Sequence, residues 1–212
     1  MTETRDADHF VRVWYGDTSR LAPQGKTAEW PDRVLLDQGA LIDGKDVLNL
    51  GCFYPEDEEA LAHRAGSWIA IDFIPGIVNF CRALRVWPSW VTFEVRDMRA
   101  LKLEYERFDV VTDFSSGDHL PLEDWHRVID EAYRVLRPGG HFLVCFANNP
   151  AFVKILGDHW RLAPAQFGEY GYVRTDTPEA MREMLEERGF EVVRESHCND
   201  SQLRAGMLAR KT

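Results

Sequence analysis

Four short apolar runs follow one another within residues 46–147, and each of them ends at or near a glycine or an acidic residue. The runs lie at 46–52, 68–72, 91–98 and 108–113. Their order predicts one mononucleotide-binding half of an open α/β sheet. Ligands of such sheets bind outside the carboxyl ends of the strands, so these glycines and acids mark the predicted ligand site.

The turn after the first run distinguishes between possible ligands. Asp72 ends the second run about 20 residues after Gly51, where an acid can accept hydrogen bonds from the two hydroxyls of a ribose. A dinucleotide would need three glycines in this turn, which contains only one. Four carboxylates follow at 56–59 and would repel a pyrophosphate, although we interpret Glu58 and Glu59 mainly as partners of the helix dipole. The pattern predicts an adenosine compound other than NAD or FAD.

Five segments carry a resemblance to a known family. They are VLNLGC, WIAIDFIPGIV, VTFEVRDM, FDVVTDFSSGDHLP and RVIDEAYRVLRPGGHFLV. In this order and spacing, residues 46–147 resemble a class I S-adenosylmethionine-dependent methyltransferase of the small-molecule type. The resemblance implies an α/β fold with a Rossmann-like, seven-stranded, mostly parallel sheet, a C-terminal antiparallel hairpin and helices on both faces. It also implies S-adenosylmethionine as the cofactor and S-adenosylhomocysteine as the product.

The resemblance assigns cofactor contacts to residues at the strand ends. Asp72 would hold the ribose, and Asp97 with Met98 would hold the adenine. Gly51 and Asp113 would hold the methionine portion. The other predicted cofactor contacts are Tyr15, Asn49, Cys52, Phe53, Phe73 and Phe114.

Three positions depart from the family's pattern around the first turn. Asn49 stands where the family usually has an acid, and it lacks the charge that would favour the methionine ammonium. Phe53 and Pro55 stand where the family has further glycines, which adds a side chain and removes an amide donor. Weakened, re-oriented and lost cofactor binding are therefore alternatives, and the presence of Asp72 and Asp97 favours binding.

Asp118 and His119 follow the fourth run and are the predicted catalytic residues. Methyl transfer mainly needs alignment of the methyl donor with the acceptor and exclusion of water. A base is needed only where the acceptor is protonated. Imidazole, with an ordinary pKa of about 6.5, suits that role. A second interpretation is that Asp118 caps the helix predicted at 121–137. Together with Asp113, the pair could also supply three metal ligands, but the spacing is not diagnostic and no metal is predicted.

The whole chain, 1–212, is predicted to form a single methyltransferase domain. Its parts are an N-terminal helical cap (1–45, with helices at 8–15 and 30–42), the cofactor-binding core (46–147), a lid or acceptor loop (148–176), and a C-terminal helix and hairpin (177–212, with strands at 190–197 and 203–210). Long irregular segments in small domains are usually lids or binding loops. Within the third part, Trp160, Tyr170 and Tyr172 are the predicted acceptor-binding residues, unless these aromatic rings only pack the segment onto the sheet.

Composition limits the classes of partner and compartment. The chain has 25 basic and 35 acidic residues, a net charge of −10, and no dense basic stripe, so nucleic acid is a disfavoured acceptor. The four cysteines form no Cys-x-x-Cys pair, and free thiols are expected. The N-terminus has no signal-peptide pattern, and no run approaches the ~20 apolar residues of a membrane helix. We expect a cytoplasmic protein that does not enter a membrane, and the oligomeric state is left open.

The predicted function is methyl transfer from S-adenosylmethionine to a small-molecule acceptor. The alternative is a degenerate member of the family that binds the nucleoside, or a partner protein, without transferring a methyl group. The sequence does not identify the acceptor or the atom that would be methylated.

Overall fold

The structure of the protein is a computed structural model that describes residues 35, 41–151, 165–166, 172–197 and 203–212. Its strands are β1 (Asp46–Leu50), β2 (Ser67–Asp72), β3 (Val91–Val95), β4 (Phe108–Phe114), β5 (Leu136–Ala147), β6 (Ala165–Gln166), β7 (Tyr172–Val173), β8 (Phe190–Ser196) and β9 (Arg204–Lys211). Its α-helices are α1 (Glu56–Leu61), α2 (Pro75–Leu84), α3 (Leu122–Val135) and α4 (Pro178–Glu186). Short 3₁₀ turns lie at Ala62–Arg64 and Gly117–His119.

Seven of these strands form one sheet in the order β3-β2-β1-β4-β5-β9-β8. The first five strands pair in parallel, whereas β9 pairs antiparallel with both β5 and β8. The strand order reverses between β1 and β4, which is the switch point where open α/β sheets bind ligands. The predicted seven-stranded, mostly parallel sheet with a terminal antiparallel hairpin is confirmed. Strands β6 and β7 form a separate antiparallel pair.

An apolar layer covers each face of the sheet. On one face, Leu50 belongs to a buried cluster with Trp125 of α3 and Met181 of α4. On the other face, Val47 belongs to a second cluster, which includes Ile77 of α2. Successive strand residues point to opposite faces, so the apolar run of β1 supplies both layers and is covered by helices on both sides.

Helix α3 ends earlier than its sequence pattern predicts. The spacing predicts a buried apolar stripe, and Trp125, Val128, Ile129 and Ala132 are buried accordingly, together with Val135. The predicted helix runs to residue 137 and is stopped by Pro138, but Leu136 is already extended, with φ −74° and ψ 139°. Leu136 pairs with Phe108 of β4, so this backbone is used by the sheet before the proline is reached. The predicted stop at the proline is therefore wrong by two residues.

The C-terminal helix begins at a capping threonine and is followed by a glycine turn. The side chain of Thr177 accepts a hydrogen bond from the amide of Ala180 at 3.1 Å and caps α4. Gly189, with φ +87°, turns the chain after the helix, and β8 follows directly.

Some predicted elements lie outside the described residues. These are the helix at 8–15, most of the helix at 30–42 and most of the segment at 148–176. Leu35 is described and is buried. Among the residues that are described, no helix is both long enough and apolar enough to cross a membrane.

Candidate active site

Gly51 brings the end of β1 against the loop that follows β4. The amides of Gly51 and Cys52 both donate to the carbonyl oxygen of Ile71, at 2.8 and 2.9 Å. Gly51 has φ +79°, and a Cβ atom there would lie 2.0 Å from Oγ of Ser116 and 3.7 Å from Cε of Met98. A side chain at this position is therefore excluded by both backbone conformation and space. Met98, predicted at the adenine, is thus close to the glycine turn.

Phe53 adopts a strained backbone conformation in the same turn. Its φ is +34°, which is uncommon for a residue with a bulky side chain. Its ring is half-buried and packs against the apolar cluster on the α1–α2 face. Its carbonyl oxygen accepts a hydrogen bond from Sγ of Cys81, which lies 3.9 Å from the buried Sγ of Cys52. The side chains of Phe53 and Cys52 therefore contribute to the core, and their backbone atoms form the turn.

Asp72 lies at the end of β2 and faces this turn. Its Oδ1 accepts a hydrogen bond from the amide of Ile74 at 3.0 Å, and its Oδ2 accepts one from the amide of Phe53 at 3.4 Å. The side chain is nearly buried, with 7 % of its surface exposed. Burial raises the pKa of Asp72 to about 6, although hydrogen bonds from backbone amides, including that of the half-buried Phe73, oppose this rise. The carboxyl group still has free lone pairs for hydroxyl donors.

Asp97 lies beyond the end of β3 and is held by Arg99. The guanidinium of Arg99 donates to both carboxylate oxygens of Asp97, at 2.9 Å to Oδ1 and 2.8 Å to Oδ2, and also reaches Asp124 of α3 at 2.8 Å. Burial favours a higher pKa for Asp97, but the hydrogen bonds from Arg99 outweigh it and lower the pKa below its ordinary value. Asp97 therefore remains an ionised hydrogen-bond acceptor beside the half-buried Met98.

Asn49 is buried below the glycine turn rather than exposed at the ligand edge. Its Nδ2 donates to Oε1 of Glu58 at 2.6 Å, and its Oδ1 accepts from Oγ1 of Thr112 at 3.0 Å. Nε1 of Trp68 donates to the same Glu58 oxygen at 3.2 Å. Glu58 is only 2 % exposed, and burial, followed by the nearby charge of Asp57, raises its pKa to about 7.

The two acids of α1 that the sequence assigns to the helix dipole have different environments. Glu58 is buried and accepts hydrogen bonds from Asn49 and Trp68, so the helix dipole alone does not account for its environment. Glu59 is partly exposed and pairs with Arg85, with Nη2 and Oε1 2.7 Å apart. The next residue along a helix faces about 100° away, which explains why neighbouring carboxylates meet such different surroundings.

Asp113 is fully buried and organises the loop after β4. Its two oxygens accept hydrogen bonds from the amides of Ser116 at 2.7 Å and Gly117 at 2.9 Å. Burial raises the pKa of Asp113 to about 7, and the neighbouring charge of Asp118 adds to this effect. Phe114 is buried in the core on the α2 face. The predicted contact of Asp113 with the methionine portion stays a prediction, since its oxygens are used by the loop.

Asp118 and His119 lie in the 3₁₀ turn between β4 and α3. Oδ1 of Asp118 accepts the amide of Ala147 at 3.1 Å, and Oδ2 pairs with Arg204 of β9. Burial raises its pKa, opposed by Arg204 and Arg174. No side chain caps α3 at its first turn, so the interpretation of Asp118 as a cap is wrong. His119 is half-buried, and its amide donates to the carbonyl of Ser116 at 3.1 Å.

Arg174 joins the predicted acceptor segment to this turn. Its Nε donates to Asp176 at 2.8 Å, and its Nη1 donates to the carbonyls of Gly117 at 3.1 Å and Leu120 at 2.8 Å. Its guanidinium carbon lies 5.1 Å from the ring centroid of Trp125. Sequence reasoning did not identify Arg174, Ser116 or Arg204, because no local pattern distinguishes them from surface residues.

The two ends of the predicted acceptor segment are fixed to the sheet and to each other. The amide of Asp176 donates to the carbonyl of Ala147 at 3.0 Å, and the amide of Asn149 donates to the carbonyl of Asp176 at 2.9 Å. Nδ2 of Asn149 also donates to Oγ1 of Thr175 at 2.8 Å. The segment between them therefore starts and ends beside the carboxyl end of β5.

Several predicted contacts cannot be placed. Tyr15, Trp160 and Tyr170 lie outside the described residues, and Tyr172 lies in β7 with its side chain outside them. Across the described ranges, no group of three or more His, Cys, Asp or Glu side chains is arranged to hold a metal ion.

The described residues fit S-adenosylmethionine better than a dinucleotide. Asp72 offers a nearly buried acceptor to a ribose at the end of β2. The first turn of α1 consists of four acids, which disfavours a pyrophosphate.

Comparisons with known proteins agree with this fit. Residues 47–140 match the family model described as a methyltransferase domain. A ubiquinone biosynthesis O-methyltransferase of Pseudomonas aeruginosa is 29 % identical over 163 residues, which cover 74 % of this chain and 69 % of the relative. A probable S-adenosylmethionine-dependent methyltransferase of Mycolicibacterium smegmatis is 32 % identical over 149 residues, which cover 70 % of this chain and 53 % of the relative.

Solved structures share the fold at lower identity. An S-adenosylmethionine-dependent methyltransferase from Mesorhizobium loti superposes with a TM-score of 0.68 at 19 % identity, covering 87 % of this chain and 98 % of the other. The 1,6-didemethyltoxoflavin-N1-methyltransferase of Burkholderia thailandensis, solved with S-adenosylhomocysteine bound, gives 0.65 at 20 %, covering 89 % and 80 %. The family model, the relatives and the fold agree with the resemblance of the five sequence segments. These findings support the assignment of residues 47–140 to a class I S-adenosylmethionine-dependent methyltransferase domain.

Proposed function

We propose that the protein transfers the methyl group of S-adenosylmethionine to a small-molecule acceptor. The observation that carries this proposal is the nearly buried Asp72 at the end of β2, bonded to the amide of Phe53 in the single-glycine turn. The names of relatives support the acceptor class, since one acts in ubiquinone biosynthesis and a structural neighbour methylates 1,6-didemethyltoxoflavin. The net charge of −10 further supports a small acceptor over a nucleic acid.

The cofactor would be held by residues of four strand ends. When bound, S-adenosylmethionine supplies an electrophilic methyl carbon on a sulfonium. Asp72 would accept the ribose hydroxyls, and Asp97 with Met98 would border the adenine. The methionine portion would lie at Gly51, near the switch point between β1 and β4. Tyr15, Phe73 and the backbone of Cys52 and Phe53 complete this proposal, whereas the buried side chains of Asn49, Asp113 and Phe114 would support the site from beneath.

The protein's main catalytic contribution would be alignment of the acceptor and exclusion of water. His119 is the proposed base where the acceptor carries a proton, because it is half-exposed in the turn beside the ligand edge. Asp118 is the proposed positioning residue for this turn, since its carboxylate binds Ala147 of β5 and Arg204 of β9. Removal of Asp118 would therefore displace His119 rather than remove a proton acceptor.

We propose residues 148–176 as the acceptor-binding part of a single domain, with Trp160, Tyr170 and Tyr172 against the acceptor. The support is the position of its two ends, which are bonded together beside the carboxyl end of β5. A segment anchored there starts and finishes at the ligand edge of the sheet. The cytoplasmic compartment stays a prediction.

A non-catalytic nucleoside-binding protein is the second candidate. The observation in its favour is the turn itself, where Phe53 replaces a glycine and is strained at φ +34°. The two candidates differ in turnover and agree in cofactor binding.

Calorimetry with S-adenosylmethionine and S-adenosylhomocysteine tests the binding step first, and both should bind. A panel of small O- and N-nucleophiles then tests transfer, with formation of S-adenosylhomocysteine as the readout. We expect turnover with a member of the panel, a lower kcat in His119→Gln, and unchanged cofactor affinity in that variant. Binding without turnover across a broad panel would favour the second candidate. Failure of both ligands to bind would refute both candidates.

A further inference from the structure

A buried carboxyl group lies directly below the glycine turn. Oε1 of Glu58 accepts hydrogen bonds from Asn49 and Trp68, at 2.6 and 3.2 Å. Its second oxygen, Oε2, is buried and has no hydrogen-bond partner among the residues the structure describes. A carboxylate that is removed from water and only half satisfied is unfavourable for stability, and well-packed apolar residues usually serve a core better.

The position of this carboxyl group in the sheet is specific. Its partner Asn49 pairs with Ala70 of β2 on one side and with Thr112 of β4 on the other. The hydroxyl of Thr112 also donates to Asn49, so the amide is fixed between the two strands that border the switch point. Asn49 lies two residues before Gly51, so Glu58, which is bonded to it, places its charge beneath the ligand edge at the switch point.

The charge of the ligand gives this arrangement a use. S-adenosylmethionine carries one positive charge more than S-adenosylhomocysteine, on the sulfur. A buried negative charge interacts more strongly with a cation than an exposed one does, because fewer water molecules screen it. Asn49 is neutral and cannot supply that charge, whereas Glu58 can.

We propose that Glu58 is the positioning counter-charge of the cofactor site, acting from below the turn to favour the charged cofactor over the neutral-sulfur product. This inference rests on the proposed methyl-transfer function, because it requires cofactor and product to bind at the glycine turn. Discrimination of this kind assists turnover, since the product leaves a site that a new cofactor molecule occupies more tightly.

The test is the ratio of the dissociation constants of S-adenosylhomocysteine and S-adenosylmethionine, measured by calorimetry at pH 8. Glu58→Gln keeps an oxygen for Asn49 and Trp68 and removes only the charge. We expect it to weaken binding of S-adenosylmethionine about tenfold, as for two unit charges several ångström apart, and to change binding of the product less than twofold. Glu59→Gln, the same change on the partly exposed neighbour that pairs with Arg85, should leave the ratio unchanged.

Two further variants separate charge from structure. Asn49→Asp combined with Glu58→Gln exchanges acid and amide across one hydrogen bond, and it should restore the wild-type ratio. Glu58→Asp retains a carboxylate and should keep most of the preference, which maintains the test if the glutamine variant fails to fold. Equal weakening of both ligands in Glu58→Gln would assign Glu58 a purely structural role and overturn the proposal, as would an unchanged ratio. Failure of the wild type to bind either ligand would instead refute the proposed function.

Discussion

Replacement of Asp72 by asparagine should stabilise the ligand-free protein at neutral pH while impairing cofactor binding. Burial raises the pKa of Asp72 from its ordinary 3.8 to about 6, so the folded chain binds a proton here more readily than the unfolded chain does. The unfolding free energy therefore falls as the pH rises between these two values, and the full loss is present above pH 6. Asparagine carries no charge at any of these pH values and avoids that loss.

The structure sets the size of the effect. The pKa difference of about 2 units corresponds to about 3 kcal/mol, at roughly 1.4 kcal/mol per unit. Asparagine can still accept the amide of Ile74 through its oxygen, but its NH₂ group would meet the amide of Phe53, where the present contact is a long 3.4 Å. The loss of one weak hydrogen bond costs about 1 kcal/mol. The net stabilisation should be about 2 kcal/mol above pH 6, should fall to zero between pH 4 and pH 5, and should become a destabilisation of up to about 1 kcal/mol at lower pH.

Urea denaturation of ligand-free wild type and Asp72→Asn, from pH 4 to pH 8, measures this difference. Asp97→Asn is the matched control, because Arg99 lowers the pKa of Asp97 and its loss should destabilise the protein more at high pH. In calorimetry, Asp72→Asn should bind S-adenosylhomocysteine far more weakly, since an ionised acceptor for two hydroxyls is lost. A variant that is less stable than wild type by the same amount at pH 5 and pH 8 would refute the reasoning.

Two other substitutions test the surroundings of the site. Arg174→Leu leaves the buried Asp176 unpaired and removes the donor to the carbonyls of Gly117 and Leu120. Urea denaturation should therefore show that the free energy of unfolding falls by about 3–5 kcal/mol. A fall of less than about 1 kcal/mol would contradict this account. Phe53→Gly removes a ring that packs against the core rather than against the ligand. Calorimetry should therefore find the preference for S-adenosylmethionine over S-adenosylhomocysteine unchanged. Loss of that preference would show that the ring contacts the sulfonium.

The sheet could be predicted because its signals are local. An apolar run that ends at a glycine or an acid indicates a buried parallel strand, whichever strands it pairs with in the sheet. Accordingly, β1, β2 and β4 begin and end within two residues of the predicted bounds. The end of α3 was predicted less well because it is decided by a distant partner. Leu136 leaves the helix to pair with Phe108, and the proline two residues later is not needed as a stop.

The roles of the buried acids show the same division between local and distant causes. Asp113 bonds amides three and four residues ahead, a pattern that a short loop after a strand makes available locally. Asp118 bonds Ala147 and Arg204, which are 29 and 86 residues away. Its burial follows from the pairing of β5 with β9, which a linear pattern of charges does not encode.

The departures around the glycine turn become coherent when these distant contacts are considered together. The charge missing at Asn49 is present one hydrogen bond away, on Glu58, because α1 folds back over β1 and turns that side chain toward the sheet. The bulk added at Phe53 is accommodated because the backbone enters the left-handed region and directs the ring into the core. Each substitution would weaken the turn if judged from its position alone. When these contacts are included, the turn keeps the carboxylate of Glu58 beneath it and a glycine at position 51, where the chain packs closely against Ser116. The altered residues can therefore preserve the electrostatics of a cationic ligand site.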